Sequence, residues 1–206
     1  MMMAGLRERK KEQTRRRISE VALRMFDERG YDAVTVNEIA EAAGVAKVTL
    51  FNYFATKECL VLDAVKDDTA AIVAGRAEGQ SPIDALRAHY REMAGQGGGD
   101  MDVEALLTRI RVISSSPALL AGVYQAHAGQ RYELAAALGD ATKDAISAQL
   151  MAAQITGVIT TLQEAFFHRL SAGVPLDEAG RLLEEEVELG FDLLEHGFSS
   201  IKGEKS

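Results

Sequence analysis

Lys47, Val48 and Thr49, with Asn52 about one helical turn on, are the residues of this chain whose types and spacing could do chemistry with a base pair. A lysine ammonium can donate to guanine O6 or N7, a valine can meet a thymine methyl, and a hydroxyl or amide can bond base edges or phosphates. That chemistry needs all of them on the outer side of one short helix. It also needs a second helix behind, to hold the first against a groove.

The preceding residues supply that support. Thr35 and Glu38 form the S/T-x-x-E pattern of a capping box, so a helix starts at Thr35. Val36, Ile39, Ala40 and Ala43 repeat at three- and four-residue steps and give it one apolar face. Gly44 ends it, since glycine takes the left-handed conformation that a helix stop commonly needs, and Val45 follows as an apolar anchor. A second helix is expected from about residue 46 to 54, with Leu50 and Phe54 inward and Lys47, Val48, Thr49 and Asn52 outward. Lys57 is expected in the first turn of the next helix, capped by Thr56, where its ammonium and the terminal N–H groups could hold a phosphate.

These residues follow the pattern T-x-x-x-I-A-x-x-A-G-V-[SA]-x-x-T-L-[YF]-x-[HY]-F-x-x-K-E-x-L over about residues 10–65, and in this the chain resembles the TetR family of bacterial transcriptional regulators. The resemblance implies an all-α homodimer: a three-helix helix-turn-helix domain over residues 1–66, then a larger helical domain over 67–206 that binds a small ligand and dimerises. It places Asn37, Lys47, Val48 and Thr49 at base-facing positions and Thr35, Phe51, Tyr53 and Lys57 at phosphate-facing ones. Two residues depart from the pattern. Phe51 stands where tyrosine is usual and lacks the hydroxyl that could donate to a phosphate. Ala46 stands where serine is common, and a lost N-cap typically costs about 1 kcal/mol.

Charge divides the chain in the same way. The whole carries a net charge of −8, but residues 1–66 hold 12 Lys and Arg against 10 Asp and Glu, net +2, leaving −10 for the remainder. Residues 1–17 alone are net +5. Arg15 and Arg16 are the best placed of these to meet phosphates, and such contacts make binding salt-dependent. Arg7 to Lys11 read either as part of the same arm or as a solvated helix face. No stretch of eighteen apolar residues occurs and no apolar run follows the basic start, so a cytosolic protein without a membrane partner is expected. The single cysteine, Cys59, reads as a small packing residue rather than a redox sensor.

The rest reads as helices: residues 7–29, stopped by Gly30; 56–74; 82–95, ending in the glycine-rich 96–100 segment; 102–114; 117–138; 142–170, with a possible break at Gly157; and 177–196. In the last two, Ile155, Val158, Ile159, Leu162, Phe166 and Leu170, and Leu182, Leu183, Val187, Leu189, Phe191, Leu194 and Phe198, form apolar stripes. Periodicity does not say whether these cover each other in one chain or meet a second copy. The resemblance favours a four-helix dimer interface, which would present two recognition helices about 34–36 Å apart to a palindromic operator.

Tyr90, Arg109, Tyr124, His127, Gln154 and Phe167, together with Arg111 and Arg131, are polar or aromatic residues on otherwise apolar helices, the mixture that a ligand pocket needs. From about Arg109 onward the chain more loosely resembles the second domain of TetR regulators that bind acyl-CoA-like ligands. His89, His127, His168 and His196 show no metal-ligand spacing, and no P-loop, G-x-S-x-G or G-x-G-x-x-G is present, so no catalytic residue, metal or cofactor is expected. The reading is a repressor released from double-stranded operator DNA by a small, largely apolar ligand. The alternative is a DNA-binding dimer without an inducer, controlled by a protein partner or acting architecturally.

Overall fold

The computed structural model describes residues 2–63, 68–95, 102–139, 142 and 144–197, with side chains from residue 8 onward. Every regular element among them is a helix: α1 Met2–Arg29, α2 Val36–Ala42, α3 Lys47–Tyr53, α4 Cys59–Leu62, α5 Thr69–Ala74, α6 Pro82–Gly95, α7 Val103–Ser114, α8 Pro117–Leu138, α9 Ala145–Ser171 and α10 Leu176–His196. The expected helix over 56–74 is described as α4 and α5, with 64–67 outside the described residues. The 96–100 glycine segment and Phe198 also lie outside them. No break occurs at Gly157: α9 runs through it, and Thr161 Oγ1 donates to the Gly157 carbonyl at 2.9 Å.

The chain forms two compact units. The first comprises residues 1–66 together with 104–125, the second residues 67–103 together with 126–206. The core of the first unit is built on Ile18, Ala22 and Phe26 of α1, spaced four apart, against Ile39 and Ala40 of α2, Leu50 of α3 and Leu60 of α4. Val112 of α7 and Leu119 of α8 complete that core, and Arg111 donates to both carboxylate oxygens of Asp27 on α1 at 3.3 and 3.1 Å. Gly122 lets α8 approach α4: a Cβ there would lie 2.7 Å from Leu62 Cδ1.

The second unit packs α10 against α6 and α9. Its core gathers Leu86 and Tyr90 of α6, Leu134 and Leu138 of α8, Ala152, Ile155 and Ile159 of α9, and Val187 and Phe191 of α10. Ile155, Ile159, Leu162, Val187 and Phe191 of the expected dimer stripes are therefore buried within one chain. Gly190 permits the close crossing of the two last helices, since a Cβ there would meet Val158 Cγ1 at 2.8 Å. Along the outside, Arg87 holds Asp192 and Glu195 at 2.8 and 3.0 Å, while Arg91 holds Glu188. By length and composition alone α9 is apolar enough to cross a membrane, and 28 % of its most apolar window is buried. Its inner face is core, and its outer face is open.

Candidate nucleic-acid interface

The helix pair forms as its local chemistry dictates. Thr35 Oγ1 accepts from the Glu38 N–H at 3.3 Å, and the Glu38 carboxylate accepts from the Thr35 N–H at 2.8 Å and its hydroxyl at 2.7 Å. Arg29 adds a third donor to Glu38 at 2.7 Å. The Thr35 hydroxyl, its N–H and then Arg29 hold the Glu38 carboxyl down at about 2. At the other end of α2, Gly44 adopts φ +65°. The Val45 N–H donates to the Ala40 carbonyl and that of Gly44 to Glu41, the paired bonds of a Schellman stop. The short turn that results hands the chain directly into α3.

That helix starts without a side-chain cap at Ala46 and is held from behind by Leu50 and by Phe54 just past its end, 0 and 1 % exposed. Its outer face carries Lys47, Val48, Phe51 and Asn52, all exposed, with Thr49 and Tyr53 half-buried. Val48 is 68 % and Phe51 42 % exposed, an unusual display of apolar surface on a seven-residue helix. Asn37 and Thr35 are exposed at the start of α2. The structure thus carries every base-facing candidate on the α2–α3 pair, with Asn37, Lys47 and Val48 exposed and Thr49 half-buried.

Three of the basic candidates have partners of their own. Arg15 donates to the backbone carbonyl of Tyr53 at 2.7 Å and to Asp63 at 2.5 Å, with its guanidinium 4.5 Å from the centre of the Phe54 ring. Arg16 pairs with Glu20 on the exposed side of α1. Lys57 precedes α4 rather than lying in it. It donates to the Tyr31 carbonyl at 2.5 Å and lies 4.0 Å from the centre of the Tyr31 ring, and burial pushes its ammonium below the usual lysine value. Beside it the Tyr31 hydroxyl donates to Glu58 at 2.8 Å, and burial drives that phenol upward. Sequence spacing marked Arg15 and Lys57 by charge; it carried no signal for the carbonyls that they bind, at Tyr53 and Tyr31.

Residues 18–64 match the model of the bacterial regulatory proteins of the tetR family, a stretch that begins in α1 and takes in all of α2 and α3. Over that stretch the chain is similar to the N-terminal domain of the TetR family. Among curated relatives it is similar to the HTH-type transcriptional regulator TcmR of Streptomyces glaucescens, 34 % identical over 57 % of this chain and 55 % of that protein. It is also similar to the HTH-type transcriptional repressor AcnR of Corynebacterium glutamicum, 39 % identical over 28 % of this chain and 30 % of that one. The matched stretch thus spans about half the length of the first relative and less of the second. Among solved structures, Thermus thermophilus FadR in complex with lauroyl-CoA aligns over 93 % of this chain and 98 % of its own at 25 % identity and a TM-score of 0.48. A TetR-family regulator of Streptomyces coelicolor aligns over 86 % and 96 % at 23 % identity and a TM-score of 0.49.

The ligand candidates do not converge on one described pocket. Tyr90 is buried in the second unit, its hydroxyl 3.2 Å from that of Thr69 and its ring beside Phe191. Tyr124 is 72 % exposed, and Arg131 is exposed with its guanidinium near the Tyr132 ring. Gln154 lies in an open apolar groove between α9 and α10, formed with Gly157, Val158, Leu189, Gly190 and Leu193. Phe167 is half-buried against Phe166, His127 is half-buried on α8, and Arg111 is committed to Asp27. Arg109 stands half-buried on α7, where its Nε has no hydrogen-bond partner among the described residues. The structure also brings together a trio that spacing did not mark, Asp192, Glu195 and His196 at the end of α10, all exposed. Arg87 already engages both of its carboxylates.

Proposed function

We propose that the chain is a transcriptional repressor that binds a palindromic operator as a homodimer and is released by a small ligand. The observation that carries the DNA-binding half is the outer face of α3, where Lys47, Val48 and Asn52 stand exposed on a helix fixed from behind by Leu50 and Phe54. A face so built can enter a major groove with its N-terminal residues at base edges. Thr35, Asn37, Thr49, Phe51 and Tyr53 flank it as further contacts.

The homodimer reading rests on the outer side of the last two helices. Leu189 is 59 % exposed on α10, and on α9 Ile146 and Leu150 are 61 and 57 % exposed. With Val158, Leu193 and the small residues Ala153, Gly157 and Gly190 they leave an apolar face beside the α9–α10 groove. A second copy of the same face covers it isologously, as two-fold dimers do.

The release half is supported by the place of α7 and α8. Val112 and Leu119 sit in the core of the DNA-binding unit, and Arg111 grips Asp27 of α1. A ligand that favours one position of α7 therefore acts on α1 directly, by as much as its affinities for the two positions differ. The deciding experiment is selection of bound genomic fragments at fixed salt, followed by footprinting of the enriched site. A protected inverted repeat supports the reading, and enrichment without a shared sequence rejects it.

A further inference from the structure

We propose that Arg109 on α7 is the anion-binding group of the effector site, so that the effector carries a carboxylate or a phosphate. The inference rests on the ligand-released reading above and names the chemistry of its ligand. Arg15 and Arg111 in the first unit and Arg87, Arg91 and Arg169 in the second each hold a carboxylate. Arg109 has none among the described residues, and its Nε is closed to solvent with no acceptor. Burial lowers its guanidinium from the ordinary arginine value, with no neighbouring charge acting the other way.

An arginine does not escape such a site by losing its proton. A partly desolvated cation without a counter-charge is unfavourable for the free protein, and an anion arriving from outside relieves it. The planar guanidinium suits a carboxylate or phosphate, which it can bind through two parallel N–H groups. Leu106 and Ile110, half-buried on the same helix, offer apolar surface for the remainder of a small molecule.

The position also suits a signal. Arg109 and Val112 are three residues apart and so share a face of α7, and Val112 is 2 % exposed in the core of the DNA-binding unit. Arg111, two residues on from Arg109, ties the helix to Asp27 of α1. An anion drawn to Arg109 therefore acts on a helix that shares a core with α1 and is paired with it.

The test uses the full chain, Arg109→Met as an uncharged variant of similar reach, and inorganic phosphate as the probe. In chloride, Arg109→Met melts at or above the wild type, because a half-buried charge with no carboxylate among the described residues has been removed. Phosphate at about 20 mM, with ionic strength matched, raises the wild-type Tm by about 3–6 °C more than that of the variant. Arg109→Lys keeps part of that response. A lower Tm for Arg109→Met in chloride, or equal phosphate responses in all three proteins, overturns the proposal. Operator release is measured separately: release that persists undiminished in Arg109→Met removes Arg109 from the effector site. A phosphate response confined to proteins with a cation at 109, in a regulator that no anion releases from DNA, leaves the site standing and rejects ligand release.

Discussion

The Arg15 guanidinium donates at 2.7 Å to the backbone carbonyl of Tyr53, the last residue of α3. The same group bonds Asp63 and lies over the Phe54 ring, so one cation joins α1, the end of α3 and the residue that follows α4. A helix of seven residues has little stability of its own and is positioned by what holds its ends. Arg15 holds the C-terminal end, where a cation also complements the exposed carbonyls.

Arg15→Gln should therefore act on DNA binding through the placement of α3. Loss of hydrogen bonds to a charged group typically costs about 1.5–3 kcal/mol. The expected result is a lower denaturant midpoint together with weaker operator binding, and an unchanged slope of log affinity against log salt. A slope reduced by about one unit, with stability intact, would show Arg15 to be a phosphate contact instead.

Lys47→Ala is expected to behave in the opposite way. Lys47 is exposed at the start of α3 and holds no carboxylate among the described residues, so its removal leaves folding unchanged. A base contact from this position is worth about 1–3 kcal/mol of discrimination. Binding to the selected operator should fall roughly 5- to 100-fold, by the same range, while binding to unrelated duplex falls much less. Equal losses on both would remove Lys47 from base readout.

The difference between Lys47 and Arg15 shows what the sequence made legible. The cap at Thr35, the stop at Gly44 and the inward Leu50 and Phe54 are set by neighbours within a few residues, and spacing alone placed them. Arg15 to Tyr53 spans 38 positions and Arg111 to Asp27 spans 84, so no local pattern announces either bond. Periodicity likewise marked Val112 and Leu119 as apolar without saying which core would take them. It put Ile155, Phe191 and Leu189 alike into apolar stripes favoured for a dimer interface, whereas the first two are buried within one chain and Leu189 is 59 % exposed.

Ala46→Ser should strengthen the domain. Ala46 has φ −69° and ψ 148°, the extended geometry of an N-cap, and makes no capping hydrogen bond. A serine hydroxyl there can accept from an unpaired N–H of the first turn of α3, an exchange worth about 1 kcal/mol. Thermal unfolding should rise by roughly 2–4 °C. Operator affinity should rise with it, because the backbone that carries Lys47 and Val48 frays less. A serine variant no more stable than the wild type would show that this N–H group is already satisfied.

The capping box gives the stability a dependence on pH. The Thr35 hydroxyl and N–H, and then Arg29, lower the Glu38 carboxyl from its ordinary value of 4.5 to about 2. Because the folded value is the lower one, the stabilisation is complete above about pH 4.5 and is lost as pH falls toward 2. A series of melting temperatures between those limits should fall more steeply for the wild type than for Glu38→Gln, which has no charge to lose. Parallel curves would remove Glu38 from the acid response.

Leu189→Glu is the sharpest test of the proposed dimer. Leu189 is 59 % exposed in a single chain, so a carboxylate there costs the monomer little, whereas in an isologous interface each substitution places charge against the partner's apolar face. The expected result is a folded helical protein whose mass in sedimentation equilibrium drops to 22.3 kDa, the value for one chain. Each recognition helix would then bind its half-site alone, without the second half that linkage brings to high local concentration, and operator affinity should fall by about 100-fold or more. Val187→Ala serves as the contrast: Val187 is 1 % exposed inside the second unit, so truncation lowers stability and leaves the dimer mass unchanged. If Leu189→Glu remained a dimer with full operator affinity, the two-fold axis would have to lie elsewhere on the chain.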